Sequence, residues 1–380
     1  MDTTLIIGGG AVGLSLAYEL ARRGEKVRVI ERGELGRESS WAGAGIIPPA
    51  IVRAEDPPLV QLGGHSYQMH IDWAERLKRD TGVDTGYHCR GAMYLAHDES
   101  VLSRLENDVA PFRSQDLPCE KLTPTRLAEL EPALAGAMND GRVVAGYYIP
   151  GEAQLRNPWY IRAVASACAD LGVKITTGAP AEEFIVRDGL VREVRTPIGT
   201  FAAEKFCLTT GSWTARLGEM LGLRMAIKPI RGQIALLHPA RPVIKGIVYS
   251  GRKYFVAREE GRVLVGSTEE DVGFDKTTTS IVIRELLDWA LKMAPGLNDA
   301  TVETTWAGLR PHSLDGQPYL GRSPNLANMY VAAGHYRWGL CLSPATAVVI
   351  SQLMHGEPTL VDMTPFRLDR EPIPAAPTAH

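Results

Sequence analysis

The sequence predicts an α/β fold in which a Rossmann-like domain is joined to an α+β domain built on an antiparallel sheet. Three observations predict it. A βαβ unit with a glycine-rich turn begins at residue 3, short strands alternate between residues 226 and 267, and strands resembling the first ones return near residues 201–209 and 329–333. Because strands that alternate with helices are typical of parallel sheets, we expect the first domain to be assembled from discontinuous pieces of the chain.

The βαβ unit lies at the start of the chain. Thr3–Ile7 is a short apolar run of the β type, apolar residues then recur at helical spacing from Leu14, and Gly24 ends the predicted helix. Val27–Ile30 is a second buried strand. The turn between the first strand and the helix, Gly8-Gly9-Gly10-Ala11-Val12-Gly13, is therefore where a dinucleotide-binding turn belongs.

The spacing of this turn fits G-x-G-x-x-G. Gly8 permits the tight turn, Gly10 lets the backbone approach a pyrophosphate, and Gly13 lets the helix pack closely on the strand. The helix N-terminus offers free N–H groups to the phosphates. Glu31 ends the second strand, where a carboxylate accepts hydrogen bonds from a ribose and disfavours a 2′-phosphate. The motif thus indicates a dinucleotide other than NADP, and an ordinary glycine-rich turn is the alternative.

The rest of the chain alternates between predicted helices and strands. The predicted helices are Leu59–Arg79, Ser100–Val109, Thr125–Leu130, Asn157–Leu171, Ile281–Met293 and Gly339–Gln352. The predicted strands are Gly91–Ala96, Val173–Thr176, Glu183–Arg187, Val191–Arg195, Phe201–Thr209, Thr301–Trp306 and Met329–Ala333. We predict a dinucleotide-binding domain at residues 1–85, 145–222 and 305–370, a substrate-binding domain at 86–144 and 223–304, and a flexible tail at 371–380.

Two further segments favour FAD over NAD. Ser39–Gly45 is a loop of small residues, which suits a flavin that extends past the ribose. Gly334–Leu340 lies far along the chain at a predicted strand-to-helix junction. A second helix N-terminus there would stabilise negative charge on a reduced flavin ring, and an NAD enzyme with one Rossmann unit would not need it. We therefore expect FAD.

Composition excludes several classes of protein. The net charge is −3 and the pI is near 6.3, so neither a nucleic acid nor an anionic membrane is an expected partner. The apolar run from Leu5 to Ala21 is broken by glycines and contains Glu19, so we expect no membrane span. The five cysteines are odd in number and widely spaced, which favours free thiols and a cytoplasmic location. His65, His70, His88 and His97 have no partner at metal-ligand spacing, so no metal is expected.

Segments spread over nearly the whole chain together resemble the glycine oxidase branch of the D-amino-acid oxidase family of flavoproteins. Two strings are specific to that branch, Trp306-Ala307-Gly308-Leu309-Arg310-Pro311 and Asp315–Arg322, whereas many flavoproteins share the glycine turn. The other resembling segments are Leu5–Gly13 with Glu31, Ser39–Gly45, Glu129–Pro132, Gly211–Trp213, Tyr254–Arg258, Leu264–Thr268, Ala333–His335 and Phe366–Arg370.

The resemblance implies a two-domain fold, non-covalent FAD, and oxidative deamination of glycine or another small amino acid or amine. A hydride would pass to flavin N5, and O2 would reoxidise the flavin and give H2O2. The resemblance further implies a homo-oligomer, commonly a homotetramer, and a link to thiazole synthase, to which such enzymes supply an imine for thiamine biosynthesis. The substrate amine must be neutral, so we expect activity to rise with pH. The sequence itself nominates no protein base.

Carried over residue by residue, the resemblance gives three side chains a catalytic role. Arg310 matches the arginine that binds the substrate carboxylate, Tyr254 the tyrosine that hydrogen-bonds the same group, and Arg337 a residue beside the flavin. A planar guanidinium suits bidentate binding of a carboxylate. The expected cofactor-binding residues are Gly8, Gly10, Ala11, Val12, Gly13, Glu31, Arg32, Ser39, Ser40, Ala42, Gly43, Ala44, Gly45, Ile46, Gly211, Trp213, Arg310, Gly334, His335, Tyr336, Arg337, Trp338, Gly339 and Leu340.

Three positions of the expected substrate pocket depart from the family pattern. Arg252 stands where glycine oxidases often have a histidine, and Ile46 and Glu269 stand where they have methionines. In this alignment with the family pattern, Glu269 brings a carboxylate close to the site. These departures leave the substrate preference open.

Each assignment has a structural alternative. Arg310 is alternatively an ion-pair residue, Tyr254 a core residue and Arg337 a surface charge, and His335 is predicted to be a turn histidine bound to backbone rather than a catalytic group. Two other functions stay open: a sarcosine or D-amino-acid dehydrogenase with a non-oxygen acceptor, and a flavin-binding structural or tRNA-modifying protein. The presence of Tyr254 together with Arg310 favours amine oxidation.

Overall fold

The structure, a computed structural model, describes residues 2–371. Apart from Glu371, the tail predicted at 371–380 lies outside the described residues. The strands are β1 (Asp2–Ile7), β2 (Val27–Ile30), β3 (Ile46–Ile47), β4 (His88–Cys89), β5 (Ala92–Ala96), β6 (Glu120–Leu122), β7 (Ala145–Ile149), β8 (Ala153–Gln154), β9 (Lys174–Thr176), β10 (Glu183–Arg187), β11 (Leu190–Thr196), β12 (Gly199–Leu208), β13 (Ile227–His238), β14 (Ile247–Ser250), β15 (Lys253–Ala257), β16 (Val263–Gly266), β17 (Thr301–Ser313), β18 (Tyr319–Arg322) and β19 (Met329–Ala333). The helices are α1 (Ala11–Arg22), α2 (Ser39–Ala42), α3 (Pro58–Thr81), α4 (Glu99–Ser114), α5 (Pro124–Leu130), α6 (Ala135–Asn139), α7 (Asn157–Asp170), α8 (Thr214–Glu219), α9 (Ser280–Met293) and α10 (Ser343–His355).

The first sheet is built on the N-terminal βαβ unit. Its strands follow the order β10-β11-β12-β1-β2-β9, and β12 also pairs with β19, which in turn pairs with β18. The strands β9, β2, β1, β12 and β19 run parallel. In this register Ile7 lies beside both Ile30 and Leu208, so the carboxyl ends of three strands meet at one edge. Ligands of open α/β sheets bind at such an edge.

Helix α1 is buried on nearly every side. Leu14, Leu16 and Leu20 are fully buried, because α1 packs between α10 and α7 as well as on the sheet. The long helix α3 covers this layer from outside, where Trp73 meets the ring of Tyr18 edge-on at 5.0 Å between ring centres. The close packing holds the N-terminus of α1 in a fixed place beside the glycine turn.

The second sheet is almost wholly antiparallel, with the order β17-β13-β16-β15-β14-β5-β7-β6. Its residues alternate between two faces, as a strand period of two requires. One face, which includes Leu237, Phe255 and Val265, packs against helix α9. The other face, which includes Ile234 and Tyr254, packs against the segment that contains Ala44 and Ile46. A small sheet, β3-β8-β4, lies beside this second face.

Most predicted elements agree with the structure to within a few residues, and four predictions were wrong. Ser39–Gly45 is not all loop, because α2 occupies Ser39–Ala42. Helix α4 continues past Pro111 to Ser114, and the closing helix begins at Ser343 rather than Gly339. The strand predicted to end at Trp306 continues to Ser313, because it is an edge strand where Pro311 is tolerated, paired along its length with β13.

The predicted domain boundaries stay a prediction. The strand at residues 145–149, which the prediction places in the first domain, pairs with β5 and β6 of the second sheet. The strand at 301–313 runs across the predicted boundary at residue 304. Across residues 2–371, none of the helices combines the length and the apolar character that crossing a membrane demands.

Candidate functional site

A cavity of about 1570 Å³ is lined by both large sheets. Its walls come from the glycine turn after β1, the segment that follows β12, the second face of the second sheet, and the turn before α10. All but three of the predicted site residues line it; the three that do not are Gly13, Gly334 and Glu269.

The glycine turn brings backbone close to the cavity. A Cβ on Gly13 would lie 2.0 Å from the carbonyl oxygen of Gly8, so only glycine lets α1 pack this closely. Gly8 itself has φ of 113°, and a Cβ there would lie 2.7 Å from the carbonyl oxygen of Thr209. A Cβ on Gly10 would meet only the Ser40 hydroxyl, at 3.1 Å, so this glycine is open towards the cavity. The close contacts at Gly8 and Gly13 and the open side of Gly10 fit the three roles that the motif predicts, which stay a prediction.

The acceptor predicted for a ribose is also at the cavity. Glu31 lines it, and its carboxylate accepts hydrogen bonds from the backbone N–H groups of Gly9 at 2.7 Å and Gly33 at 3.0 Å. Each carboxylate oxygen can accept a second hydrogen bond. The next residue, Arg32, lies over the ring of Trp213, 3.5 Å from its centre. Glu31 is thereby held by backbone and still able to accept from a ligand hydroxyl.

The segment Ser39–Gly45 is held in place from several elements. The Trp306 indole N–H donates to the carbonyl of Ala42 at 3.0 Å, and the Arg258 guanidinium donates to the carbonyl of Ala44 at 2.8 Å. The Asn157 amide donates to the carbonyl of Ser40 at 2.7 Å. The Asn157 side-chain oxygen is buried without a hydrogen-bond partner, and Asn157 lines the cavity. An unpartnered buried acceptor beside a cradle of small residues fits a polar cofactor such as FAD.

A row of tyrosines crosses the second sheet on the face that lines the cavity. Tyr94 of β5 lies in register with Tyr249 of β14, which is paired with Tyr254 of β15, which is paired with Gly266 of β16. A Cβ on Gly266 would lie 2.7 Å from the Tyr254 ring, so this glycine makes room for the ring. The predicted carboxylate-binding tyrosine thus stands at the end of an ordered row.

Arg310 lies beside the end of that row. Its guanidinium donates to the Thr268 carbonyl at 2.9 Å and to the Ser267 hydroxyl at 2.8 Å. It rests flat on Gly232, where a Cβ would lie 2.2 Å from Nη2. Burial lowers the pKa of Arg310, and the nearby charge of Arg337 lowers it further, although a guanidinium this basic still carries its proton. The two bonds use two of five donors and leave the others for a carboxylate.

Arg337 is held by the carboxylate of Glu269, which departs from the family pattern. Glu269 accepts hydrogen bonds from the Tyr336 hydroxyl and the Arg337 guanidinium, and Arg252 lies 3.5 Å from its other oxygen. Burial alone would raise the pKa of Glu269, but the hydrogen bond from Tyr336 and the charges of Arg337 and Arg310 outweigh it and hold the pKa below its usual value. Glu269 therefore stays ionised and reduces the positive charge of this wall.

The turn before α10 differs from its prediction in two respects. The helix begins at Ser343, so no helix N-terminus lies within Gly334–Leu340. The buried ring of His335 bonds the Thr346 hydroxyl at 3.1 Å through Nε2, rather than a backbone group. Burial lowers the pKa of His335 to about 4, so the ring is neutral at physiological pH. The turn nevertheless brings Arg337 and the half-exposed Trp338 to the cavity.

Several residues of the site escaped the sequence analysis. Gly232 and Gly266 make room for Arg310 and Tyr254, and both are isolated glycines in strands, a signal of close approach. Asn157 was assigned only to a helix start. Tyr94 and Tyr249 each lie in a short run of predicted strand and were not singled out.

With this geometry in view, the comparisons with known proteins decide the family. The family model of DAO, the FAD dependent oxidoreductases, matches residues 3–353. This chain belongs to that family. It is 33% identical to the glycine oxidase of Pseudomonas putida over 365 residues, which cover 95% of this chain and 97% of that protein. Its cofactor is FAD, in agreement with the cradle described above.

Two other relatives extend the comparison. The crystal structure of glycine oxidase from Geobacillus kaustophilus superposes with a TM-score of 0.91 at 31% identity, covering 97% of this chain and 99% of that one. The bifunctional protein ThiO/ThiG of a Nostoc species is 32% identical over 356 residues, which cover 92% of this chain and 52% of that protein. The expected mixed α/β flavoprotein fold is thereby confirmed.

Proposed function

We propose that this enzyme oxidises glycine or another small amino acid or amine, with O2 as the electron acceptor and H2O2 as a product. One observation carries the proposal: the partly buried guanidinium of Arg310 has donors to spare on the cavity wall, beside Tyr254. Such a pair suits an amino-acid carboxylate, which a planar guanidinium binds bidentately. The relatives named glycine oxidase support the same substrate class.

The proposed roles of the residues follow from their places. FAD, when bound, supplies the hydride acceptor. Arg310 and Tyr254 bind the substrate carboxylate and so orient the α-carbon, which is the main contribution that positioning makes to the rate. Arg337 borders the same space, and its pairing with Glu269 keeps it fixed. The glycine turn, Glu31 and the segment Ser39–Gly45 hold the cofactor.

Anaerobic addition of glycine to the FAD-loaded enzyme tests the proposal. We expect the flavin absorbance to bleach, because the amino acid would reduce the cofactor. Peroxide formation from glycine, sarcosine and D-alanine in air then separates an oxidase from a dehydrogenase with another acceptor. A flavin that stays oxidised with all three substrates would remove amine oxidation as the function.

The finer assignments are also proposals. We propose that the enzyme works in the cytoplasm, which its five free cysteines favour. We also propose that it forms a homo-oligomer, since the enzymes that it resembles are commonly homotetramers. A link to thiazole synthase in thiamine biosynthesis is supported by the likeness to the bifunctional protein ThiO/ThiG. Size-exclusion chromatography with light scattering tests the oligomer, and growth without thiamine after deletion of the gene tests the link.

A further inference from the structure

A buried carboxylate stands behind the row of tyrosines. Glu152, between β7 and β8, is fully buried. The Tyr94 hydroxyl donates to one of its oxygens at 2.7 Å, and the Tyr249 hydroxyl donates to the other at 2.9 Å. Both tyrosines line the cavity, whereas Glu152 does not. The carboxylate therefore meets the cavity only through two hydroxyl groups.

No cation balances this carboxylate among residues 2–371. The titratable groups that influence it are the two tyrosines, Tyr67 on α3, Cys89 on β4 and Cys341 on the turn before α10, all of them neutral at physiological pH. Burial raises the pKa of Glu152 to about 7, and the hydrogen bonds from Tyr94 and Tyr249 limit the rise. A carboxyl group in this setting can take up and release a proton near neutral pH.

The neighbouring positions tell which end of a substrate this carboxylate would meet. Tyr249 is the cross-strand partner of Tyr254, with 6.2 Å between ring centres. Tyr254 and Arg310 form the proposed carboxylate site, so a small amino acid bound there has Tyr249 as the next tyrosine along the cavity wall. Glu269 and His335 are less suitable proton acceptors, because the pKa of Glu269 is lowered and His335 faces Thr346.

We propose that Glu152, acting through the Tyr249 hydroxyl, accepts the proton that the substrate ammonium group must lose before oxidation. An N–H bond of the ammonium breaks and its proton passes to the Tyr249 oxygen. The Tyr249 O–H proton passes at the same time to the Glu152 carboxylate, which becomes a neutral carboxyl group. The amine is left neutral, Tyr249 is unchanged, and no electrons move. This inference rests on the proposed amine oxidation.

The first test follows Glu152 itself, without turnover. In the FAD-loaded enzyme the infrared carbonyl band of a protonated carboxyl should disappear with a midpoint near pH 7, and Glu152→Gln should lack that part of the signal. Glu131 offers a matched control, since it is also fully buried with a raised pKa but lies outside the cavity wall. An infrared titration unchanged by Glu152→Gln would overturn the proposal.

The second test follows the rate of anaerobic flavin reduction by glycine against pH. The wild type and Glu131→Gln should show a rising limb near pH 7, where Glu152 becomes able to accept a proton. Glu152→Gln and Tyr249→Phe should lose this limb, and at the pH of the wild-type plateau their flavin should be reduced about 100-fold more slowly. Tyr94→Phe should keep the limb but shift it to higher pH, because the hydrogen bond from Tyr94 that stabilises the Glu152 carboxylate is lost.

The outcomes separate the inference from the proposed function. A wild-type flavin that no amine reduces would refute amine oxidation, whatever the infrared titration shows. A wild-type enzyme that reduces its flavin with a pH profile identical to that of Tyr249→Phe would overturn the proton relay alone. If Glu152→Gln fails to retain FAD, the profiles of Tyr249→Phe and Tyr94→Phe decide, because both replacements leave the buried carboxylate in place.

Discussion

At the scale of single residues, the cavity wall depends on side chains placed where backbone leaves room for them. Arg310 lies flat on Gly232, and the ring of Tyr254 lies against Gly266. The guanidinium is further fixed by Ser267 and Thr268. A group held this firmly loses little entropy when a carboxylate binds, which favours affinity as well as orientation.

Replacement of Arg310 by alanine tests the carboxylate site. We expect the variant to retain FAD and to lose about 30-fold or more in kcat/KM, because removing one partner of a buried charge pair costs about 2–5 kcal/mol. Steady-state peroxide assays and the flavin absorbance of the purified protein measure the two effects. Arg195→Ala, in an exposed ion pair with Glu183, is the control. A kcat/KM within about threefold of wild type would refute the assigned role.

Gly232→Ala tests the same site without removing its charge. The new Cβ would lie 2.2 Å from Nη2 of Arg310, and the flexible side chain can move aside. We therefore expect a nearly unchanged melting temperature but a kcat/KM reduced by about tenfold to 100-fold, because small misplacements of a positioning group are costly. Gly136→Ala is the matched control, since nothing lies within 4 Å of its Cβ. Equal kinetics of the two variants would argue against this account.

At the scale of elements, the cavity is assembled from segments distant in the chain. Arg231 of β13 is buried and pairs with Glu270 and Asp275, and this fixes the segment that carries Ser267–Glu269. Further along, Lys276 reaches Glu38 beside α2, with 2.7 Å between the charged groups. One segment thus ties the cavity wall that carries Arg310 to the wall that carries Ser39–Gly45, so the two are expected to shift together when either is perturbed.

Helix α1 gives the prediction at this scale. Gly13→Ala places a Cβ 2.0 Å from the backbone carbonyl of Gly8 and 2.5 Å from the Thr209 hydroxyl, so the helix itself must move. We expect a loss of stability of about 1–3 kcal/mol and a clearly weaker retention of FAD, because the helix N-terminus leaves its place. Thermal unfolding and flavin content after gel filtration measure both. Full flavin content in Gly13→Ala, matching Gly136→Ala, would contradict the proposed cradle.

At the scale of the whole molecule, the buried carboxylate links stability to pH. The pKa of Glu152 is raised from 4.5 to about 7 in the folded state. The folded protein therefore binds more protons than the unfolded chain between these values, and the free energy of unfolding falls as pH rises through them. The loss of unfolding free energy is complete above the folded pKa of Glu152 and amounts to about 3 kcal/mol.

Glu152→Gln removes this dependence. We expect its melting temperature, relative to that of the wild type, to increase as pH rises through the window from 4.5 to about 7, because the wild type alone must bury a charge at the higher pH. Differential scanning calorimetry of both proteins across that window measures the difference, with Glu131→Gln as the comparison for a second buried carboxyl. A difference that is constant with pH would show that the pKa of Glu152 is not raised in the fold.

Local features of the chain were enough to predict its dinucleotide-binding unit. The turn Gly8–Gly13 and Glu31 act through backbone geometry within one βαβ unit, where contacts are close in sequence. The short turn and the spacing of its glycines are therefore enough to predict a dinucleotide-binding turn. The mixed α/β fold and FAD followed from this unit together with the family resemblance.

The cavity wall that carries Tyr254 was decided by the tertiary structure, because its residues meet only through sheet register. Tyr94, Tyr249, Tyr254 and Gly266 belong to four strands, and nothing in their spacing along the chain states that the strands are neighbours. The burial of Glu152 behind them depends on the same long-range pairing. Sequence by itself predicted a dinucleotide site on the first βαβ unit; only the folded sheet decided which polar groups line the cavity, since burial and hydrogen-bond partners are properties of the packed chain.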